Sequence, residues 1–323
     1  MKLYGKKRAV EALSRFKASG RFPHALLILG EEGSGRRTLA EYAAMLYLCE
    51  KEGLTPCMSC RECTRIEGHI HPDVVYPLDS CGGKYTAEGL RALIAECWKQ
   101  PNDGRLRICI FEKLDEMSVV CQNALLKFIE EPLSFNRYIF TAERKSAILE
   151  TVLSRLTYVE CGKANLAEFS AALSEHNITA DKAKELFALY SGNIGAALYA
   201  NENPEEGEIY RKAAAVAEAV AEGREYDCGA ELAAIKTREE LFRVLGLLSD
   251  IYAEAAAVQS GKPAVGAFSA EIEKIAKRLR LVTINLLYSE TCRLYGKSEA
   301  NPNLRLFAAE CCCTLFSARE KEF

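Results

Sequence analysis

The chain has 323 residues, is 49% hydrophobic and 27% charged, and carries a formal net charge of −3. That length exceeds one ordinary hydrophobic core, so two or three domains are expected. No uncharged apolar run reaches membrane-spanning length, and the basic start has no leader-like apolar stretch, so the expectation is a cytoplasmic protein with no membrane association.

Fourteen cysteines are too sparse for a small secreted disulfide scaffold. Most, such as Cys97, Cys109 and Cys121, stand singly in apolar surroundings and read as buried thiols. The net charge gives no global case for a nucleic-acid binder. Residues 1–40 nevertheless carry nine Lys/Arg against three Glu, a bias that reads first as a solvated helix face and second as a contact for DNA or an acidic partner.

In chain order, Val10, Leu13 and Phe16 recur at helical spacing and predict a helix over 7–19. ALLIL at 25–29 is a continuous apolar run ending in GEEGSG, which predicts a buried strand, a glycine-rich turn and a helix from about Arg37. RICIF at 107–111 predicts a second buried strand, followed by a helix over 118–131 that Pro132 stops. RYIFTAE at 137–143 and LTYVEC at 156–161 complete four predicted strands. Their alternation with helices predicts an α/β fold with a parallel sheet covered on both faces. Beyond residue 162 the pattern is Ala/Leu-rich and helical, with a break at Asn201–Pro204. The expected organisation is therefore an α/β domain over 1–162, a small helical lid over 163–203 and an all-α domain over 204–323.

The segment Gly30-Glu-Glu-Gly33-Ser-Gly35-Arg36-Arg37-Thr38 has the layout of a phosphate-binding loop, in which backbone N–H groups cradle phosphates at a helix N-terminus. Its key residues depart from that chemistry. Arg36 stands where Lys neutralises the phosphates, Arg37 where a Ser/Thr oxygen holds Mg²⁺, and Thr38 falls one residue late. The second strand ends in Glu112-Lys113 rather than a metal-holding Asp followed by a catalytic Glu. Lys113 cannot serve as a carboxylate base, and Asp115 lies two residues too far along. ATP is expected to bind weakly or not at all.

Cys49, Cys57, Cys60 and Cys63 fall within fifteen residues, and four thiolates suit a tetrahedral structural zinc. A redox Cys-x-x-Cys and an iron–sulfur cluster are the competing readings. His69 and His71 stand nearby as further ligand candidates, with a turn role as the plainer reading for a His beside Pro72-Asp73. Cys311, Cys312 and Cys313 are successive helical positions about 100° apart, so they read as core and surface thiols and not as a second cluster. On residues alone, Ser154-Arg155 reads as an ordinary helix C-terminal arginine.

RFPHALLILG (21–30), the four-cysteine cluster, His71-Pro72-Asp73, NALLKFIEEP (123–132), FTAE (140–143) and Ser154-Arg155-Leu156 together resemble the bacterial clamp-loader AAA+ family of DNA polymerase III, in its gamma/tau and delta-prime branch. The resemblance covers about the first 200 residues. Asn301-Pro302-Asn303 followed by LRLFAAECC is similar to the last helix of the family's collar domain. The resemblance implies an AAA+ domain with a zinc-bearing insertion, a lid, and an all-helical collar that joins gamma/tau motor subunits and a delta subunit. The sliding clamp and primer-template DNA would be more distant partners.

Loss of the loop Lys and the Asp-Glu pair is similar to the delta-prime side of the branch. Gly195 likewise takes the place of a nucleotide-sensing Arg. The resemblance gives Ser154-Arg155 a role: Arg155 would act in trans as an arginine finger on ATP held by a neighbouring motor subunit. Two other readings stay open, a gamma/tau-like ATPase with a functional Arg36 and a stand-alone zinc protein that contacts DNA through the basic N-terminal segment.

Overall fold

The computed structural model describes residues 1–20, 22–77, 85–86, 89–90, 94–95, 97–102, 105–261, 264, 268–297 and 302–321. They divide into two compact units: Met1–His176 with Gly192–Ala196, and Asn177–Ser191 with Ala197–Phe323.

The first unit is built on a five-stranded parallel sheet. β1 (Ala25–Leu29), β2 (Val74–Val75), β3 (Arg107–Phe111), β4 (Asn136–Ala142) and β5 (Thr157–Glu160) lie in the order β2-β3-β4-β1-β5. β1 sits between β4 and β5, pairing Ala25 with Tyr138 at one end and Leu29 with both Ala142 and Glu160 at the other. Every residue of β1 and β3 is buried, which explains why ALLIL is apolar throughout and RICIF is apolar after Arg107: a parallel sheet with helices on two faces leaves no side for water.

The pleat sends Leu26 and Ile28 to one face, where they meet α1 (Lys7–Ala18), α2 (Arg36–Leu48) and α3 (Arg61–Glu67). Ala25, Leu27 and Leu29 point to the other face, against α4 (Val119–Glu130) and α5 (Glu150–Leu153). Ser118 caps α4 by accepting from the Cys121 N–H at 3.3 Å, close to the start predicted at 118.

The sequence predicts four strands and the sheet has five. β2 is only two residues long and carries no periodicity, so it is invisible before the chain folds. It is held by Asp73, a fully buried residue whose carbonyl accepts from the Ile108 N–H at 2.8 Å. The Asp73 carboxylate accepts from the Asn102 backbone N–H at 2.6 Å and faces Arg107 at 3.9 Å.

α6 (Leu166–Ser174) closes the first unit, started by a capping box between Asn165 and Glu168. α7 (Ala180–Tyr190) belongs to the second unit, and α8 (Ile194–Glu202) begins in the first and continues in the second.

The rest of the second unit is α9 (Pro204–Glu222), α10 (Glu225–Ala233), α11 (Arg238–Gln259), α12 (Ser269–Arg278), α13 (Leu281–Tyr295) and α14 (Leu304–Glu320). Its core joins Val216 and Val220 of α9, Leu245 and Tyr252 of α11, Ile284 and Leu287 of α13, and Phe307 and Leu315 of α14. Asn303 caps α14, accepting from the Arg305 and Leu306 N–H groups at 3.2 and 3.3 Å, while Asn301 lies outside the described residues. Cys311 and Cys312 are buried and Cys313 is exposed, as their helical phases require. Among the described residues, no helix is long and apolar enough to cross a membrane.

Candidate functional site

The glycine-rich turn leaves the C-terminal end of β1 and delivers Arg36 as the first residue of α2. This is the strand–loop–helix arrangement that aims backbone N–H groups at an anion. The side chains around it do something else.

Arg37 lies across the first turn of α2. Its Nε is 3.4 Å from Glu41 Oε1 and its Nη1 is 3.3 Å from Glu112 Oε1 at the end of β3. The guanidinium stacks over the Tyr76 ring, 4.8 Å from its centroid. Glu41 also takes the His69 Nδ1 at 3.3 Å. Burial pushes the Glu41 carboxyl above the usual range, and His69 and Arg37 offset part of that rise.

Arg36 keeps its stem beside Gly30, and Thr38 is half-buried one position further along α2. Lys113 adopts a left-handed backbone conformation (φ 55°), places its N–H 3.2 Å from Thr141 Oγ1 and pairs its ammonium with Glu116 at 3.1 Å. The Glu116 partner holds that ammonium in its charged form above the usual range. Asp115 is buried and accepts from the backbone N–H groups of Glu143 and Arg144 at 3.2 and 3.0 Å. It fastens the turn after β4 instead of approaching the loop.

The loop is also covered by its own unit. The Gly195 N–H donates to the Gly33 carbonyl at 3.0 Å, and Asn193, buried, donates through Nδ2 to the Glu32 carbonyl at 2.8 Å. Lys163 pairs with Glu31 at 2.6 Å. Buried Lys6 donates to the Gly162 carbonyl.

The four cysteines converge from two helix ends. Cys49 caps the C-terminus of α2, and Cys60 caps the N-terminus of α3. The sulfur atoms of Cys49, Cys57, Cys60 and Cys63 all lie within 4.8 Å of one another. Four ligands at about 2.3 Å from one ion stand roughly 3.8 Å apart, so the cluster is of the right size to close on a metal. The backbone fits too. The Cys57, Cys60 and Cys63 N–H groups point at the sulfurs of Cys49, Cys57 and Cys60, at 3.4, 3.3 and 3.5 Å. Donors aimed at sulfur stabilise thiolate over thiol, and a backbone N–H of Ser59 is the main cause that draws the Cys57 thiol down to about 6. Burial pushes Cys63 the other way, upward, when it has only neighbouring thiols for company. These four residues can hold a metal ion.

Neither nearby histidine completes that cluster. His71 accepts the Asp73 N–H on Nδ1 at 3.0 Å, which leaves the proton on Nε2 to be donated to Glu62 of α3. It thus ties the cysteine-bearing helix to the start of β2. His69 faces Glu41.

Arg155 follows α5 at the protein surface. Its Nη1 donates to the Thr151 carbonyl at 2.7 Å and to Ser154 Oγ at 3.1 Å, and its Nη2 meets Glu130 Oε1 at 2.6 Å. The side chain is 40% exposed. Sequence reading picks out Arg37, Glu112, Lys113 and Arg155 but misses what they touch. Glu41 was discoverable one helical turn beyond Arg37, and Tyr76, Asn193 and Glu130 carry no local signal.

A parallel β2-β3-β4-β1-β5 sheet with a glycine-rich loop after β1 and a helical remainder defines an AAA+-type module. Residues 5–164 match the family described as "DNA polymerase III, delta subunit".

The chain is 28% identical over 205 residues to DNA polymerase III subunit delta' of Bacillus subtilis, a stretch covering 64% of this chain and 62% of that protein. It is 30% identical over 181 residues to DNA polymerase III subunit gamma of Buchnera aphidicola subsp. Baizongia pistaciae, covering 54% and 48%. The similarity therefore spans about half to three fifths of the curated relatives' own lengths. Among solved structures, a DNA polymerase III gamma subunit-related protein from Thermotoga maritima aligns over 96% of this chain and 99% of its own at 14% identity, with a TM-score of 0.46.

Proposed function

We propose that this chain is a delta-prime-type subunit of a DNA polymerase III clamp loader that assists ATP hydrolysis without performing it. The observation that carries this reading is a contrast within one unit. The positions that would hydrolyse ATP hold Arg37 and Lys113, which supply neither a metal-holding oxygen nor a carboxylate base, whereas Arg155 is kept beside Ser154 at the surface, resting on a half-exposed pair with Glu130. A guanidinium at an exposed helix end is suited to a phosphate presented by another subunit, where it stabilises charge developing in phosphoryl transfer.

In this reading residues 1–162 form the AAA+ domain, 163–203 a lid and 204–323 a collar that assembles with gamma/tau motor subunits and a delta subunit. The assembly opens the sliding clamp for primer-template DNA in the cytoplasm as part of DNA replication. A zinc ion held by Cys49, Cys57, Cys60 and Cys63 is structural: four protein sulfurs leave no open coordination position for substrate. An intrinsic gamma/tau-like ATPase has less support, because Lys113 cannot take a proton from water and Gly195 brings no cation to the loop. A stand-alone DNA-binding zinc protein leaves Arg155 without a role.

The test is ATPase activity of the isolated chain and of a mixture with a gamma-type motor and a delta subunit, each with wild-type protein and R155A. No turnover alone, stimulation in the mixture, and loss of roughly tenfold or more of that stimulation in R155A are expected. Robust turnover by the isolated chain would replace this reading with the motor reading.

A further inference from the structure

A phosphate-loop fold implies a nucleotide-bound Mg²⁺, held between the loop Ser/Thr oxygen and a carboxylate at the end of the second strand. The residues present do not fit that ion. Arg37 occupies the loop position and offers no oxygen, and Glu112, at the strand end, already takes the Arg37 Nη1 at 3.3 Å. We infer that Arg37 is a built-in counter-cation: its guanidinium occupies the cation site between Glu41 and Glu112 and offsets one of their two negative charges, so that this module needs neither metal nor nucleotide to complete its fold.

The surroundings are built for a guanidinium. Glu41 is one helical turn past Arg37, its side chain only 7% exposed, and Glu112 is 15% exposed. Two carboxylates so withdrawn from water repel each other when both are ionised, and a positive charge between them relieves that repulsion. Tyr76 supplies a flat aromatic face at 4.8 Å, which accepts a planar guanidinium and offers a hydrated metal ion nothing comparable. The charge count agrees: one Arg⁺ and two carboxylates leave a single negative charge, and the half-exposed His69 on Glu41 lies beside it. A divalent ion entering this site would have to displace a covalently attached competitor whose effective concentration does not fall on dilution.

This inference extends the non-hydrolytic reading, but its test uses the isolated full chain with no partner and no ATP, so the two fail separately. The probe is Mn²⁺, an oxygen-seeking stand-in for Mg²⁺, followed by its paramagnetic resonance signal and by thermal unfolding. Wild-type protein is expected to leave added Mn²⁺ free at the loop. R37T, which restores the ordinary loop oxygen, should unfold about 3–6 °C earlier, bind one Mn²⁺ per chain and recover part of its Tm with it. R37T/E112Q should lose that binding.

Should R37T fail to fold, the triple variant R37T/E41Q/E112Q, in which no orphaned carboxylate remains, is expected to fold. Mn²⁺ bound by wild type in an E112Q-sensitive manner overturns the inference. So does an R37T protein that keeps wild-type stability and takes up no Mn²⁺, or a triple variant as unfolded as R37T.

Discussion

Gly195 and Gly33 meet backbone to backbone: the Gly195 N–H donates to the Gly33 carbonyl at 3.0 Å, and a Cβ on Gly195 would lie 2.5 Å from that same oxygen. A Cβ on Gly33 would come within 2.6 Å of the Ala196 nitrogen, and Gly33 also requires φ of +77°. The loop and the start of α8 are thus packed to a distance that only glycine permits. G195A is expected to lower stability by about 1–3 kcal/mol through forced separation of two backbones. G195R, which reinstates the residue type the family resemblance implies for hydrolysing members, should cost no less. Urea unfolding of the three proteins measures this, and a G195A midpoint equal to wild type would mean that the contact yields freely.

The cysteine cluster predicts a metal content. Purified protein should release close to one zinc ion per chain to a colorimetric chelator, and C57S or C63S should release far less while C97S and C121S behave as wild type. Removal of the metal should loosen α3 and the His71–Glu62 tie first, because Cys60 and Cys63 bracket Glu62 on that helix. Amide exchange localised at residues 57–71 after chelation is the expected pattern. Exchange spread evenly through the sheet would instead assign the metal a global role.

E130Q separates holding Arg155 from folding. The Arg155–Glu130 pair is short, at 2.6 Å, yet both side chains are roughly 40% exposed, and such surface pairs contribute about 0–1 kcal/mol. Stability of E130Q should therefore match wild type closely, whereas on the proposed finger role partner stimulation in the reconstituted ATPase assay should change, since the Arg155 guanidinium would be freed from its resting contact. If stability fell by several kcal/mol with stimulation untouched, the pair would be a structural clamp.

Glu41 sets a pH dependence. Its folded carboxyl is held above the ordinary value of 4.5, with burial as the largest cause, so the folded state binds its proton more tightly than the unfolded chain does. The associated stability is present in full below about 4.5 and is lost as pH rises through the raised folded value. E41Q carries no such titration. Urea midpoints of wild type and E41Q measured between pH 4 and 7 should diverge in slope, with the wild type declining more steeply; parallel profiles would show that Arg37 and His69 cancel the burial completely.

Much of the first unit was legible in the residues because its cause is local. β1 and β3 announced themselves as ALLIL and RICIF, since a strand covered on both faces is apolar along nearly all its length, Arg107 at the start of β3 excepted. The loop announced itself by glycine spacing and the four-cysteine cluster by four thiols in fifteen residues, each a short-range pattern that chain connectivity alone brings together. The absence of Lys at position 36, of an oxygen at 37 and of a carboxylate at 113 was equally readable, as was the mostly helical character of the described residues after 162.

Tertiary structure alone decided what those residues do. Arg37 and Glu112 are 75 positions apart in the chain and 3.3 Å apart in space. The register that places the end of β3 beside the start of α2 exists only once β4 has inserted between β1 and β3. The same holds for Tyr76 over Arg37, for Asn193 on the loop and for β2, a strand too short to have a period. Sequence carries the inventory of charges, because each is a property of one residue. Which charges neutralise each other depends on desolvation and on distances of a few ångströms, and those are set by the packing of segments that the chain itself keeps far apart.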